Sequence, residues 1–443
     1  METLALLGGT PVLSKQPPES LFKWPIVTQE DEDAVLDILH NNRFSGTDIT
    51  KKFEQEFAKW QGTEYARAFC NGTAALTSAM YAVGLGAGDE MICTTKTYWA
   101  SAVQATNLGA SVVFCNIDDN LSMDPEDLER CITPNTKAIM VVHYCAYPCD
   151  MDKIMAIAKK HNLKVIEDVS HAQGGYYKGK KLGTFGDVSA MSLMSGKSFA
   201  AGELGILVTN DRVCYERAVA YGHHNFFTDN FIQECQDLMP YTNVPLGGIK
   251  GRANQLCSAL ALNQLKHYDE RCTEIRKAMN YFWDELEGLP GIRAIRVDES
   301  TGSNMAGWYN PQGAYYPEEL HGLPVNVFCE ALRAEIPGVS YPGANYCLHT
   351  HGFFKTFDLF NLGKPTRIVF NDRDVREDDA LCDKSLDKYC FSIPWFKQFD
   401  KEWIDIYVKA FKKVIENHEQ LLDYSKDKDA KQGGRWMGMK DKA

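Results

Sequence analysis

The alternation of apolar and polar residues changes character along the chain. After an irregular opening that holds Gly8, Gly9, Pro17 and Pro18, the apolar positions Ala34, Val35, Ile38 and Leu39 recur at helical spacing within 30–40, and a second helix fits 52–60. From there, short apolar runs alternate with amphipathic stretches. The runs predict strands at 65–70, 90–94, 111–117, 138–144 and 163–167, and the stretches between them predict helices at 74–83, 100–108, 125–131 and 151–161. Strands alternating with helices of about ten residues form βαβ units, whose right-handed crossovers build a largely parallel sheet.

Beyond Gly186 the pattern becomes strand, loop, strand, at 188–194 and 205–209. An acidic and aromatic stretch follows to about residue 245 with no readable period. Residues 255–286 are apolar at a helical period, in a segment long enough to link two domains. The region 290–420 reads as a smaller α/β domain closing with a helix at 403–422, and the polar, Lys-, Asp- and Gly-rich end at 425–443 reads as a disordered tail. The expected organisation is an N-terminal arm at 1–23, a large domain at 24–275, a small C-terminal domain at 276–424 and a tail at 425–443. The fold class is α/β.

With 443 residues, 44% of them apolar and 24% charged, the composition is that of a soluble globular protein with a large core. The net charge of −12 argues against a nucleic-acid or anionic-membrane partner, since both need a basic patch. Glu2 follows Met1 without a basic segment, and Gly8, Gly9 and Pro11 break the only early apolar run, so neither a signal peptide nor a membrane span is expected. The 14 cysteines include no C-x-x-C pair, Cys145 and Cys149 being the nearest neighbours, and most of the others sit in apolar runs. They read as buried, reduced thiols of a cytoplasmic protein. The 11 histidines contain no H-E-x-x-H, and His349 and His351 have no evident co-ligands, so no metal site is expected.

Three segments could carry chemistry. Cys70-Asn71-Gly72-Thr73-Ala74-Ala75 lies where a strand gives way to a helix, and free N–H groups at a helix start favour a phosphate; an ordinary capped helix has the same look. Val165-Ile166-Glu167-Asp168 is an apolar strand ending in two acids, at the carboxyl edge where open α/β sheets bind ligands; a solvated strand end is the alternative. Gly196-Lys197-Ser198 copies the end of a P-loop, but Met191 stands where its first glycine belongs and no long helix follows. Lys197, set among Leu193, Met194, Phe199, Ala200 and Ala201, is instead a candidate desolvated amine for a Schiff base, with a surface lysine as the alternative. A phosphate turn, an acid at a strand end and a downstream lysine together match the needs of pyridoxal 5′-phosphate, and Tyr98-Trp99 offers an aromatic face for its ring.

The chain resembles the DegT/StrS family of pyridoxal-phosphate-dependent sugar aminotransferases. The resemblance runs from Gly8-Gly9-Thr10-Pro11 through Phe44-Ser45-Gly46, Asn71-Gly72-Thr73-Ala74-Ala75-Leu76, Glu167-Asp168, Gly183-Thr184-Phe185-Gly186-Asp187 and Ser192 with Lys197 to Phe391-Ser392-Ile393-Pro394. It implies fold type I, the aspartate aminotransferase architecture, and a homodimer with shared active sites. It makes Lys197 the Schiff-base lysine and Asp168 the partner of the pyridinium nitrogen. His171 falls on the ring-hydroxyl side, Gly72, Thr73, Ala74 and Ser192 form the phosphate cup, and Tyr98 is the stacking aromatic with Trp99 as fallback. The implied reaction moves an amino group from glutamate or glutamine to a keto-sugar or keto-cyclitol that is nucleotide-linked, phosphorylated or free.

Two departures stand out. The family's G-E-G-G reads Gly202-Glu203-Leu204-Gly205 here, and its G-x-N-Y-R reads Gly248-Ile249-Lys250-Gly251-Arg252, placing Lys250 where an asparagine reaches the partner subunit's phosphate. Dehydratase relatives replace the lysine with histidine, so Lys197 favours amino transfer. A non-catalytic regulator that merely binds the cofactor finds no helix-turn-helix or basic segment to support it.

Overall fold

The computed structural model describes residues 2–13, 15–223, 228, 230–244, 246–336, 340–374, 378, 381 and 390–426. The expected tail lies almost wholly outside the described residues, as do parts of the stretch before residue 245. In chain order the first elements are α1 (Gln29–His40), α2 (Asp48–Gln61), β1 (Tyr65–Phe69), α3 (Gly72–Ala82), β2 (Glu90–Thr94), α4 (Ala100–Asn107), β3 (Ser111–Cys115), α5 (Pro125–Cys131), β4 (Thr136–Val142), α6 (Met151–His161) and β5 (Lys164–Asp168). A small hairpin of β6 (Tyr176–Tyr177) and β7 (Lys180–Lys181) precedes β8 (Val188–Ser192), β9 (Gly205–Thr209) and α7 (Arg212–Gly222). The 30-residue α8 (Gln255–Asp284) leads to β10 (Ile292–Ala294), β11 (Gln312–Tyr315), α9 (Val325–Glu335), α10 (Gly352–Lys355), β12 (Cys390–Ser392), α11 (Lys401–Glu416) and α12 (Gln420–Ser425).

The helices start where a side chain can take up a free N–H. Asn71, Asp150, Asp211, Asn254 and Asp400 each accept such a bond, and Thr28 with Asp31 forms a reciprocal box at α1. The strands order as β1-β9-β8-β5-β4-β2-β3, and only β9 runs against its neighbours. Strands β2, β3 and β9 are buried at every position, which is why their centres read as short apolar runs rather than as alternation. The α/β class and the mostly parallel sheet therefore stand as expected.

The second sheet is antiparallel, β10-β11-β12, backed by α9 and α11. The opening segment is tied to it: Ala5 and Val12 donate backbone N–H groups to Glu335 at 2.8 and 3.0 Å, and Leu4 is fully buried. Glu335 is neutralised in turn by Lys413 at 3.0 Å.

Three differences from the sequence reading have local causes. The helix α7 was unreadable because Cys214, Tyr215, Glu216 and residues 218–222 are all buried, leaving no polar stripe to set a period. The closing helix breaks in two, since Asn417 and His418 direct their own side chains to the carbonyls of Lys413 and Ile415 at 2.8 and 2.7 Å. The strand expected at 188–194 stops at Ser192, because the chain turns into a hairpin toward β9: Leu193 N–H reaches Leu204 O, and Ala201 N–H returns to Leu193 O, both at 2.8 Å.

Candidate functional site

The carboxyl edge of the sheet places two adjacent acids in opposite roles, because neighbouring strand residues point to opposite faces. Glu167 is fully buried and spent on structure: Oε1 accepts from Phe185 and Gly186 N–H at 2.7 Å, and Oε2 from Gly183 N–H at 2.8 Å and His143 Nε2 at 3.2 Å. Burial alone would raise its pKa, but these donors outweigh burial and hold the carboxyl below its ordinary value. Asp168 faces the site. Its Oδ2 accepts from Ser101 Oγ at 2.7 Å and its Oδ1 from Ser170 N–H at 3.0 Å, two donors that fix a carboxylate in place.

Beside it, the β1–α3 turn meets the end of β8. Asn71 Oδ1 accepts from Ala74 N–H at 2.8 Å, and Gly72 lies so close to Ser192 that a Cβ there would fall 2.6 Å from the serine Cβ. The structure thus brings Gly72, Thr73, Ala74 and Ser192 into one corner. Only a residue without a side chain permits that approach.

Lys197 sits in the loop of the β8–β9 hairpin and is 8% exposed. Its backbone oxygen accepts from Trp24 Nε1 at 2.8 Å, and its Nζ lies 4.3 Å from the centre of the Tyr309 ring. Burial pushes its pKa down to about 8, a depression that Asp168 and Cys145 partly oppose. Ser198, its neighbour, is taken up by Gln173 and Tyr268 at 2.8 and 2.9 Å and is not free to bind a metal-bound phosphate as a P-loop serine would.

His171 packs between Tyr144 and Tyr309, with ring centres at 5.2 and 4.6 Å. Burial, reinforced by the charge of Lys197, pushes its pKa well below the usual imidazole value. The neutral ring accepts from Cys145 N–H through Nδ1 at 3.2 Å, so its proton is on Nε2. The donor N–H is held there by left-handed backbone at two non-glycine residues, Cys145 (φ 51°) and Ala146 (φ 68°), a conformation costing on the order of 1–3 kcal/mol per residue.

The remaining expected residues lie further out. Tyr98 packs on Trp99 with ring centres 4.9 Å apart, and both line a cavity with Tyr346 and His351. Lys250 is exposed; its neighbour Gly251 accepts from Cys70 N–H at 2.7 Å, which places this segment against the β1–α3 turn. Sequence reasoning missed Ser101, Tyr309, Trp24 and the Cys145–Ala146 turn. No local pattern marks them, since each acts through a contact with a residue distant in the chain.

The sequence profile of the DegT/DnrJ/EryC1/StrS aminotransferase family matches residues 25–315. The chain is 31% identical to an L-glutamine:2-deoxy-scyllo-inosose aminotransferase of Micromonospora echinospora, over 95% of this chain and 100% of that protein. It is 35% identical to a GDP-perosamine synthase of Escherichia coli O157:H7, over 62% of this chain and 73% of the relative. Among solved structures, an aminotransferase from Psychrobacter cryohalolentis superimposes with a TM-score of 0.72 at 27% identity, covering 90% of this chain and 99% of that one.

Proposed function

The chain belongs to the DegT/DnrJ/EryC1/StrS aminotransferase family, and from that premise we propose that it moves an amino group from glutamine or glutamate to a keto-sugar or keto-cyclitol, using pyridoxal 5′-phosphate. The observation that carries this reading is that Lys197, Asp168 and His171 lie buried within electrostatic reach of one another, with Ser170 joining Asp168 to Ser192 of the Gly72 corner. The residues fit the cofactor. The close approach of Gly72 to Ser192 sets the start of α3 beside the serine as a corner for its phosphate, Asp168 is a carboxyl held for its ring nitrogen, and Lys197 is a buried amine for its aldehyde.

When bound, the cofactor supplies an electron sink for the charge left as the donor's Cα proton departs. The protein's own groups do the rest. Lys197 loses its proton near pH 8 rather than at its ordinary value, so at neutral to mildly alkaline pH Nζ is able both to accept the Cα proton and to return it. Asp168, anchored by Ser101 and Ser170, would hold the ring nitrogen and favour its protonated form. His171 presents Nε2–H as a neutral donor on the same side as Tyr309. The decisive assay incubates the purified holoenzyme with L-glutamine or L-glutamate and follows the cofactor's absorbance, then adds a keto-cyclitol or keto-sugar and follows its return. A chromophore unmoved by either donor refutes amino transfer.

A homodimer that shares its active sites is part of the proposal. In its support, Tyr241 and Val244 are 58% and 61% exposed, and Leu246 and Ile249 continue this apolar surface up to Lys250, next to the phosphate corner. A partner subunit would cover these side chains and bring Lys250 to its own neighbour's cofactor. The cytoplasm is the compartment we propose, since the described cysteines are free thiols and most are buried. None of the described helices is long and apolar enough to cross a membrane.

A further inference from the structure

A second cluster of reactive side chains lies away from Lys197. Cys115 ends β3, and Asp127 and Cys131 sit one turn apart on α5, the helix that packs on that strand. The two sulfurs and an Asp127 oxygen all lie within 4.8 Å of one another, and Cys131 Sγ is 3.8 Å from Asp127 Oδ2. Both cysteines are buried and Asp127 is half-buried. Among the described residues no other three His, Cys, Asp or Glu side chains meet in this way. Strand β3 stands three places from β5 in the sheet, so the cluster is on the order of 15 Å from the strand that carries Asp168.

The donor set is that of a thiophilic divalent cation. Two thiolates and a carboxylate suit zinc, whereas magnesium and calcium take oxygen ligands. An ion about 2.3 Å from each sulfur and about 2.1 Å from the oxygen holds those atoms under about 4 Å apart, so the cluster needs to close by only about 1 Å. The carbonyl oxygens of Asp124 and Phe114 accept from the Cys115 and Cys131 thiols at 3.5 Å. They border the same space and offer a fourth, neutral ligand. The carboxylate is held from outside: Asn116 N–H donates to Oδ2 and Arg130 Nε to Oδ1, both at 2.7 Å. Outer partners of this kind fix a ligand's orientation, and Arg130 Nη2 also stands 3.7 Å from Cys131 Sγ. Charge favours the exchange. Two neutral thiols and the Asp127–Arg130 ion pair sum to zero, and one divalent cation replacing two thiol protons leaves that sum at zero. Uncompensated charge is what makes burying an ion prohibitive, and none arises here.

We propose that Cys115, Asp127 and Cys131 bind one zinc ion per chain, in a structural site that fastens α5 to β3. Binding forms two S–Zn bonds and one O–Zn bond and releases the two thiol protons to solvent, with nothing oxidised or reduced. No spacing motif in the sequence signals this site, because its ligands come from a strand end and from the helix that follows it.

The test uses the holoenzyme, stripped with a chelator and kept in a phosphine reductant so that the thiols stay free. Zinc is titrated against a chromophoric chelator, and cobalt(II) is titrated with absorbance as the readout. The expected results are one equivalent of zinc per chain and a thiolate-to-cobalt charge-transfer band accompanied by the visible bands of tetrahedral cobalt. Cys115→Ser and Cys131→Ser should each abolish the charge-transfer band and weaken zinc binding by more than about a hundredfold. Arg130→Gln removes only an outer partner and should weaken it by about tenfold to a hundredfold. The Arg130 side chain is 48% exposed, so this variant keeps the test decisive if a cysteine variant fails to fold. Zinc should also raise the Tm of the wild type and leave that of Cys131→Ser unmoved. A wild-type protein without the charge-transfer band, or a band that survives in both serine variants, overturns the site.

Discussion

Replacing Lys197 with methionine removes a buried cation while keeping a long apolar stem in its place. The lysine is 8% exposed and its pKa is pushed from 10.5 to about 8, so folding discourages its protonation. At about 1.4 kcal/mol per tenfold, that depression corresponds to about 3 kcal/mol of destabilisation by the charged form. The sign follows from linkage. Below about pH 8 the folded and unfolded chains both carry the proton, and the full penalty applies; between about 8 and 10.5 the unfolded chain alone holds it and the penalty fades; above 10.5 neither does. With roughly 2.1 cal/mol/K of unfolding entropy per residue over 443 residues, about 3 kcal/mol moves Tm by about 3 °C. The cofactor-free Lys197→Met protein should therefore gain about 3 °C over wild type at pH 7, relative to the difference between the two at pH 10.5, in thermal melts followed by circular dichroism. A Tm difference that stays flat from pH 7 to 10.5 would show that Lys197 is solvated, and the argument for its reactive amine would fall with it.

Borohydride reduction followed by peptide mapping should fix the cofactor on the peptide containing Ser195-Gly196-Lys197, and an adduct on any other lysine refutes the assignment. Asp168→Asn keeps the shape but removes the anion, so the donor half-reaction should slow by orders of magnitude in stopped-flow absorbance while cofactor retention falls less; near wild-type rates would place the acid elsewhere. Glu167→Gln leaves a single acceptor oxygen for the donors of Gly183, Phe185, Gly186 and His143, and should cost about 3 kcal/mol or more, read as a lower denaturation midpoint; an unchanged midpoint contradicts its structural role. Gly72→Ala drives a methyl into Ser192, so cofactor should be lost on gel filtration, and full retention would argue against the phosphate corner. Lys250→Ala should loosen the proposed dimer and weaken cofactor retention in light scattering and absorbance, and no change in either removes Lys250 from the proposed shared site.

Much of this protein is determined by local sequence. Strands such as β2, β3 and β9 carry apolar runs at their centres because both faces are covered, and those runs are visible without a structure. The helix starts carry their own caps, as at Asn71 and Asp150. The ends of those elements then place Asp168, Lys197 and the 72–74 turn at the same sheet edge, because a parallel βαβ arrangement gathers its carboxyl ends. Resemblance supplied the roles.

Only the tertiary structure decided between Glu167 and Asp168, which are adjacent, equally acidic and buried alike, and differ only in the face each one points to. It also decided the setting of the reactive amine: Tyr309 and Trp24 reach Lys197 from more than a hundred residues away on either side. The cavity is likewise joined from Thr97 and Asn345, segments whose sequences carry no mark of each other. The physical reason is that periodicity and capping are interactions between residues a few positions apart, whereas desolvation, charge pairing and cavity shape are set by whatever the completed packing brings within a few ångströms.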